Sequence, residues 1–250
     1  LVRMKELGII GKDVQPFPHL PRIPAWDSLT PEQRKLSARR MEIYAAMLAN
    51  MDYHIGRVLD HLKEAGQLDN TLIIFTSDNG PHNESRHSLE RFQPSGPFTG
   101  IKRSLTDGGI RVPMIAWWPG KIKAAGEIAH VGSFVDAFAT LSELAGVTSV
   151  PKNDGISFLP TLLGTEQRQH EFLYWEFHEQ GFQQAALYQG RWKGIRSGGK
   201  DRPIVLYDLQ NDVAEKTDVA KAHPELAKKI SDYLQSARTP SAMWQPKWKK

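Results

Sequence analysis

Apolar residues follow three patterns along this chain, and each predicts a different kind of element. Tyr44, Met47, Leu48, Met51, Ile55, Val58, Leu59 and Leu62 recur at helical spacing. Thr30-Pro31-Glu32-Gln33 precedes them as a start signal: a cap, a first-position proline and a residue able to return the capping bond. The spacing predicts one helix from there to Gly66, a suitable C-cap, with its stripe packed as core against a sheet. The second pattern is a short unbroken apolar run. Thr71-Leu-Ile-Ile-Phe-Thr-Ser77 reads as a buried strand, and Asp107-Gly-Gly-Ile-Arg-Val-Pro-Met-Ile-Ala-Trp-Trp-Pro-Gly120 as a Gly-hinged loop leading into a second one. A further helix is expected from about Val135 to Ala145, stopped by Gly146.

The third pattern begins beyond residue 165. Phe172 to Phe177, Ala185 to Gln189, Trp192 to Arg196 and Ile204 to Leu209 read as short strands joined by Gly or Asn-Asp turns, followed by a helix opening at Pro224. This predicts an α/β part over residues 1–168 and a small α+β part over 169–250, an antiparallel sheet with a terminal helix. Residues 1 to about 29 read as irregular, because Pro16, Pro18, Pro21 and Pro24 oppose regular helix.

Polar chemistry gathers where the first apolar run ends. Asp78-Asn79-Gly80-Pro81-His82 cannot extend a central strand, and in an open parallel α/β sheet the carboxyl ends of strands are where ligand sites are built. Asp78 and Asn79 offer one anionic and one neutral oxygen donor of the kind Ca²⁺ or Mg²⁺ takes. Taken alone, Asp78-Asn-Gly-Pro81 reads rather as an ordinary Asx-Gly turn closing a strand.

Composition narrows the field only a little. The chain has 250 residues, 40% hydrophobic and 24% charged, which is ordinary for a globular protein. Its formal net charge of +4 owes much to Lys247, Lys249 and Lys250, so it gives no support for a nucleic-acid-binding face. The absence of cysteine excludes a disulfide framework and a thiolate metal site. No apolar run reaches the roughly 18 residues a membrane span needs.

Taken together, Ser77-Asp-Asn-Gly-Pro81, Gly100-Ile-Lys102, Asp107-Gly-Gly-Ile-Arg-Val-Pro113 and Trp118-Pro-Gly-Lys121 closely resemble the type I sulfatases, the arylsulfatase family of the alkaline phosphatase superfamily. Tyr44 to Asp52 with Ile55-Gly-Arg57 supports the resemblance upstream, and Asp154 to Leu163, Tyr174 to Phe177 and Leu206 to Leu209 support it downstream. Members carry a Cys or Ser, converted to formylglycine, in a Cys/Ser-x-Pro/Ala-x-Arg motif of their amino-terminal half. This chain has no such motif, and is read as a carboxyl-terminal half whose partner is that missing half.

The resemblance implies an alkaline phosphatase-like α/β fold and hydrolysis of sulfate monoesters of carbohydrates or aryl compounds. It implies Ca²⁺, or Mg²⁺, held in part by Asp78 and Asn79, with Lys102 binding the sulfate group. His82 is an open candidate for touching substrate or assisting the leaving group, whereas His87 reads as solvent-facing. Asp107 stands where a glutamate is common, which leaves its role open, and Arg111 reads as an ion-pair partner anchoring the Gly-Gly turn. Trp117 and Trp118 read as core; the aromatics around Trp175, with His178, are a candidate sugar platform. Two further readings stay in play: a phosphoryl hydrolase of the same superfamily, and a non-catalytic calcium-dependent interaction module. A periplasmic or secreted location is implied by the family alone.

Overall fold

A computed structural model describes residues 2–8, 11–14, 24–84, 89–123, 126–179 and 181–245. Two compact units are present: residues 1–58 with 86–93, and residues 59–85 with 94–250.

The first unit is helical. Helix α1 (Val2–Glu6) corrects the expectation of an irregular start, since no proline falls among these five residues. Pro16, Pro18 and Pro21 lie outside the described residues, as does His87. The long helix α2 (Pro31–Glu64) begins as the sequence predicts. Thr30 N–H donates to Gln33 Oε1 at 3.0 Å while Gln33 N–H donates to Thr30 Oγ1 at 3.2 Å, closing a capping box. At its far end Gly66 takes φ +65°, the left-handed conformation that ends helices without a Cβ clash. The predicted core role of its stripe is not met. No residue of α2 is buried: Tyr44, Met47, Met51 and Val58 are exposed, and Ile55, Leu59 and Leu62 are half-buried. Helix α3 (Leu89–Phe92) completes this unit.

The second unit holds two sheets. Strand β1 (Ile73–Thr76) pairs with β2 (Met114–Trp117), Ile73 opposite Trp117 and Thr76 opposite Met114. The pairing is antiparallel, so the parallel-sheet argument does not apply within this pair. Nor are the strands buried as predicted: Ile74, Phe75, Met114, Ile115 and Trp117 are exposed. Trp118 is half-buried and its indole N–H donates to the Asp69 carbonyl at 3.1 Å.

Between the strands, Asp107–Ile110 forms one helical turn, α4, where a Gly-hinged loop was expected. Helix α5 (Asp136–Leu144) matches the predicted helix and ends before Gly146 at φ +68°. The Asp136 carboxylate, fully buried, accepts from Ser133 N–H and Ile156 N–H, both at 2.8 Å, and meets His170 Nε2 at 2.7 Å. A further short helix, α6 (Leu159–Leu163), follows.

The remaining strands are β3 (Phe172–Phe177), β4 (Gln183–Tyr188), β5 (Trp192–Ser197) and β6 (Val205–Asp208), an antiparallel sheet in sequence order. Helix α7 (Pro224–Ser236) lays Ile230 and Leu234 on Ala186, Ile204 and Leu206, the core of this part. Gly194 makes the approach possible. A Cβ there would lie 2.6 Å from Ile230 Cγ2 and 2.9 Å from Ile204 Cδ1. Burial of each such Ile or Leu side chain contributes about 1.5–3 kcal/mol. Tyr174 packs against this core, and its hydroxyl, pushed up in pKa by burial, donates to Glu176 and accepts from Gln184. That use of Tyr174 does not suit an open sugar platform.

Candidate active site

Three loops meet just beyond β1, and glycines decide how closely. Gly80 is buried, and a Cβ on it would fall 1.9 Å from the Gly108 carbonyl oxygen. Gly108 in turn touches the Gly100 and Thr99 carbonyls, where a Cβ would approach to 2.2 and 2.5 Å. Gly109 abuts Ser104 and Ile101 in the same way. Backbone hydrogen bonds use the space so gained. Gly80 N–H donates to Gly109 O at 2.9 Å, Gly108 N–H to Thr99 O at 2.8 Å, and Lys102 N–H to Pro81 O at 2.8 Å. No backbone atom could come this near a side-chain-bearing residue at these positions.

The last of those bonds joins two predicted site segments. Lys102 is fixed at its backbone to the loop that carries Asp78, Asn79 and His82, although it lies far along the chain. Asp78 is exposed at the strand tip, and the Asn79 amide donates to its Oδ1 at 2.9 Å. Glu84 N–H donates to His82 Nδ1 at 3.1 Å. A neutral His82 ring therefore carries its proton on Nε2 and can present it as a donor.

Asp78 and Asn79 suit a hard cation in kind, with one charged and one neutral oxygen. Ca²⁺ takes about six to eight oxygens, however. Among the described residues no group of three or more His, Cys, Asp or Glu side chains is gathered to hold a metal. The pair alone falls short of that number.

Lys102 ends in an ion-pair cluster that sequence reasoning missed. Its Nζ stands 3.5 Å from Glu84 Oε1, and the same oxygen lies 2.8 Å from Arg103 Nη1. Arg103 Nε then reaches Glu179 Oε2 at 2.5 Å, in the connection between β3 and β4. Arg103 holds φ +76°, a left-handed conformation that a non-glycine residue adopts at some cost. Glu84 is shifted below the ordinary carboxylate range, first by the Arg103 hydrogen bond and then by the Lys102 charge.

Asp107, whose role the sequence left open, faces away from this surface. It is buried and accepts from Lys193 Nζ at 2.6 Å; Lys193 also stands 2.9 Å from Glu215 Oε1. Glu215 Oε2 accepts from Asp107 N–H at 2.6 Å, closing the triad. Burial pushes the Glu215 pKa up against the pull of Lys193. Arg111 lies 3.4 Å from Asp107 Oδ2 and over the Phe98 ring at 4.7 Å, which matches its predicted part as an ion-pair anchor of the Gly-Gly turn. A lysine within the strand-like run Trp192 to Arg196 was the available signal for the triad.

Comparison with known proteins gives this arrangement its context. The Sulfatase family model matches residues 15–147, and the model for the C-terminal part of N-sulphoglucosamine sulphohydrolase matches residues 99–240.

The chain belongs to the sulfatase family.

A curated relative, N-acetylgalactosamine-6-O-sulfatase of Bacteroides thetaiotaomicron, is 31% identical over 244 residues, covering 88% of this chain and 45% of the relative. Human N-acetylgalactosamine-6-sulfatase is 40% identical over 123 residues, 48% of this chain and 23% of its own length. Among solved structures, Ps i-CgsB in complex with k-i-k-neocarrahexaose superposes with a TM-score of 0.67 at 29% identity, over 78% of this chain and 42% of that one. The chain thus spans less than half the length of each of these proteins. The shared fold is mixed α/β with antiparallel sheets, and no helix among the described residues is long and apolar enough to cross a membrane.

Proposed function

We propose that this chain supplies the cation-binding and sulfate-binding side of a sulfuric ester hydrolase that acts on a sulfated carbohydrate. The nucleophile, formylglycine in this family, would come from sequence outside these 250 residues. The observation that carries the reading is the Lys102 N–H to Pro81 O bond, which keeps a lysine beside the Asp78–Asn79 loop in a chain of the sulfatase family. The carbohydrate substrate is supported by the names of the relatives and by the oligosaccharide in the Ps i-CgsB structure. An exported protein, periplasmic or secreted, goes with that substrate.

The division of labour follows from charge. Asp78 and Asn79 would hold the cation, Ca²⁺ in preference to the smaller Mg²⁺, which keeps much of its water. When bound, the cation supplies fixed positive charge against the sulfuryl oxygens. Lys102 supplies a second, movable positive charge, since an ammonium is a compact donor able to follow oxygens whose charge changes. His82 would donate from its ring to the substrate or to the departing oxygen. Residues 1–168 would then carry these site residues, with 169–250 as the smaller part.

The test is Lys102→Ala in the full-length sulfatase, assayed on an aryl sulfate. kcat/KM is expected to fall by about 10²-fold or more, the order seen when one preorganised donor is removed from a transition state. Metal content and fold should be unchanged. Near-normal turnover would refute the assignment.

A further inference from the structure

The Glu84, Lys102, Arg103 and Glu179 cluster is not needed to hold the loops together, because the glycine contacts and backbone bonds already do so. All four side chains are partly exposed, between 33% and 55%, so the pairs add little to stability. Their arrangement is nevertheless specific. One oxygen of Glu84 faces both cations, and it is nearer to Arg103 (2.8 Å) than to Lys102 (3.5 Å). Arg103 is itself tethered by Glu179 and held at a left-handed φ of +76°.

We propose that Glu84 is a resident counter-ion standing in the place of a sulfate oxygen at Lys102, and that Arg103, anchored by Glu179, draws Glu84 aside when the anion arrives. The proposal rests on the sulfate-binding assignment of Lys102 and adds a regulation of the same site. Two cations at adjacent positions, 102 and 103, would otherwise attract any anion and repel each other. With Glu84 in place the cluster is neutral overall, and an entering group must displace a carboxylate. Monoanionic carboxylates compete poorly for that exchange, since each replaces one like itself. A sulfate ester held at Lys102 would also gain from a cation bound at Asp78 and Asn79, an interaction that Glu84 would not have. Arg103 is thus a positioning residue, acting on Lys102 through Glu84.

Inorganic sulfate is the probe, measured as a competitive inhibitor and by calorimetric binding to the full-length, metal-loaded enzyme. Glu84→Gln keeps size and hydrogen bonding while removing the charge. It is expected to tighten sulfate and lower KM by about two- to five-fold, the range for an exposed ion pair, with kcat changed by less than that. Arg103→Ala leaves Glu84 to Lys102 alone, and is expected to raise KM and weaken sulfate by a similar factor. Adding Glu84→Gln to Arg103→Ala should abolish that penalty, an outcome that loss of structure would not produce. Unchanged sulfate affinity in Glu84→Gln, with Lys102→Ala still inactive, overturns the counter-ion role and leaves the lysine assignment standing. Normal turnover and sulfate affinity in Lys102→Ala overturn both.

Discussion

At the scale of single residues, the two strand-tip positions, Asp78 and Asn79, differ in what they can lose. Asp78→Asn would remove a negative charge from the proposed cation site, whereas Asn79→Ala removes a neutral oxygen and also the amide that donates to Asp78 at 2.9 Å. Calcium affinity of the full-length enzyme, titrated by calorimetry, is expected to fall in both and further in Asp78→Asn. Equal affinity in both variants and the parent would take the pair out of the metal site. Gly80 is less forgiving than either. A methyl group there would lie 1.9 Å from the Gly108 carbonyl oxygen, a backbone atom that cannot turn aside. Gly80→Ala is therefore expected to abolish turnover by separating Lys102 from Asp78, and a structure of the variant should show the two loops parted. What the sequence revealed at this scale was the identity of the polar groups. It did not reveal that Glu84 and Glu179 meet Arg103, because no spacing rule links position 84 or 103 to a hairpin loop at 179.

Elements were legible where the signal was local. The capping box at Thr30 and Gln33, the glycine stops at Gly66 and Gly146, and the four strands of the second sheet all stand where turn and cap chemistry put them. Burial was not legible, since an apolar face reports what it needs and not what supplies it. That is why β1 and α2 were read as buried and are exposed. Within the second sheet, Arg191 grips Asp208 with two hydrogen bonds, Nε to Oδ1 at 2.8 Å and Nη2 to Oδ2 at 2.7 Å, clasping the start of β5 to the end of β6. The Arg191 guanidinium holds the Asp208 pKa down, from 3.8 to about 2. A depressed carboxylate stabilises the fold above its unfolded value and ceases to do so as pH falls through its folded one. The stability difference between parent and Asp208→Asn, followed by thermal unfolding, should therefore be full near neutrality and vanish as pH drops from 3.8 towards about 2. A difference that does not change with pH would assign the effect to packing instead. Lys193→Met in β5 should be costlier, about 3–5 kcal/mol, because it strands Glu215 as a buried charge and leaves Asp107 only the exposed Arg111 at 3.4 Å.

For the molecule as a whole, apolar surface is the dominant property. Ile74, Phe75, Met114, Ile115 and Trp117 on the first sheet, Phe138 and Leu141 on α5, and Met47 and Val58 on α2 are all exposed. Such surface binds dyes and neighbouring molecules. These 250 residues expressed alone should enhance the fluorescence of a hydrophobic probe and self-associate as concentration rises. A monodisperse chain that leaves the probe dark would contradict this. The Asp107, Lys193 and Glu215 triad has a different consequence, for recombination between relatives. It ties the turn before β2 to the second sheet, so a chimera spliced near residue 168 inherits its acid from one parent and its lysine and second acid from the other. Splicing is thereby restricted to parents whose three residues agree in charge and length. A crossover that mixes them would seal a mismatched charge into the interior, and the hybrid would fail as a fold before its specificity could be assayed.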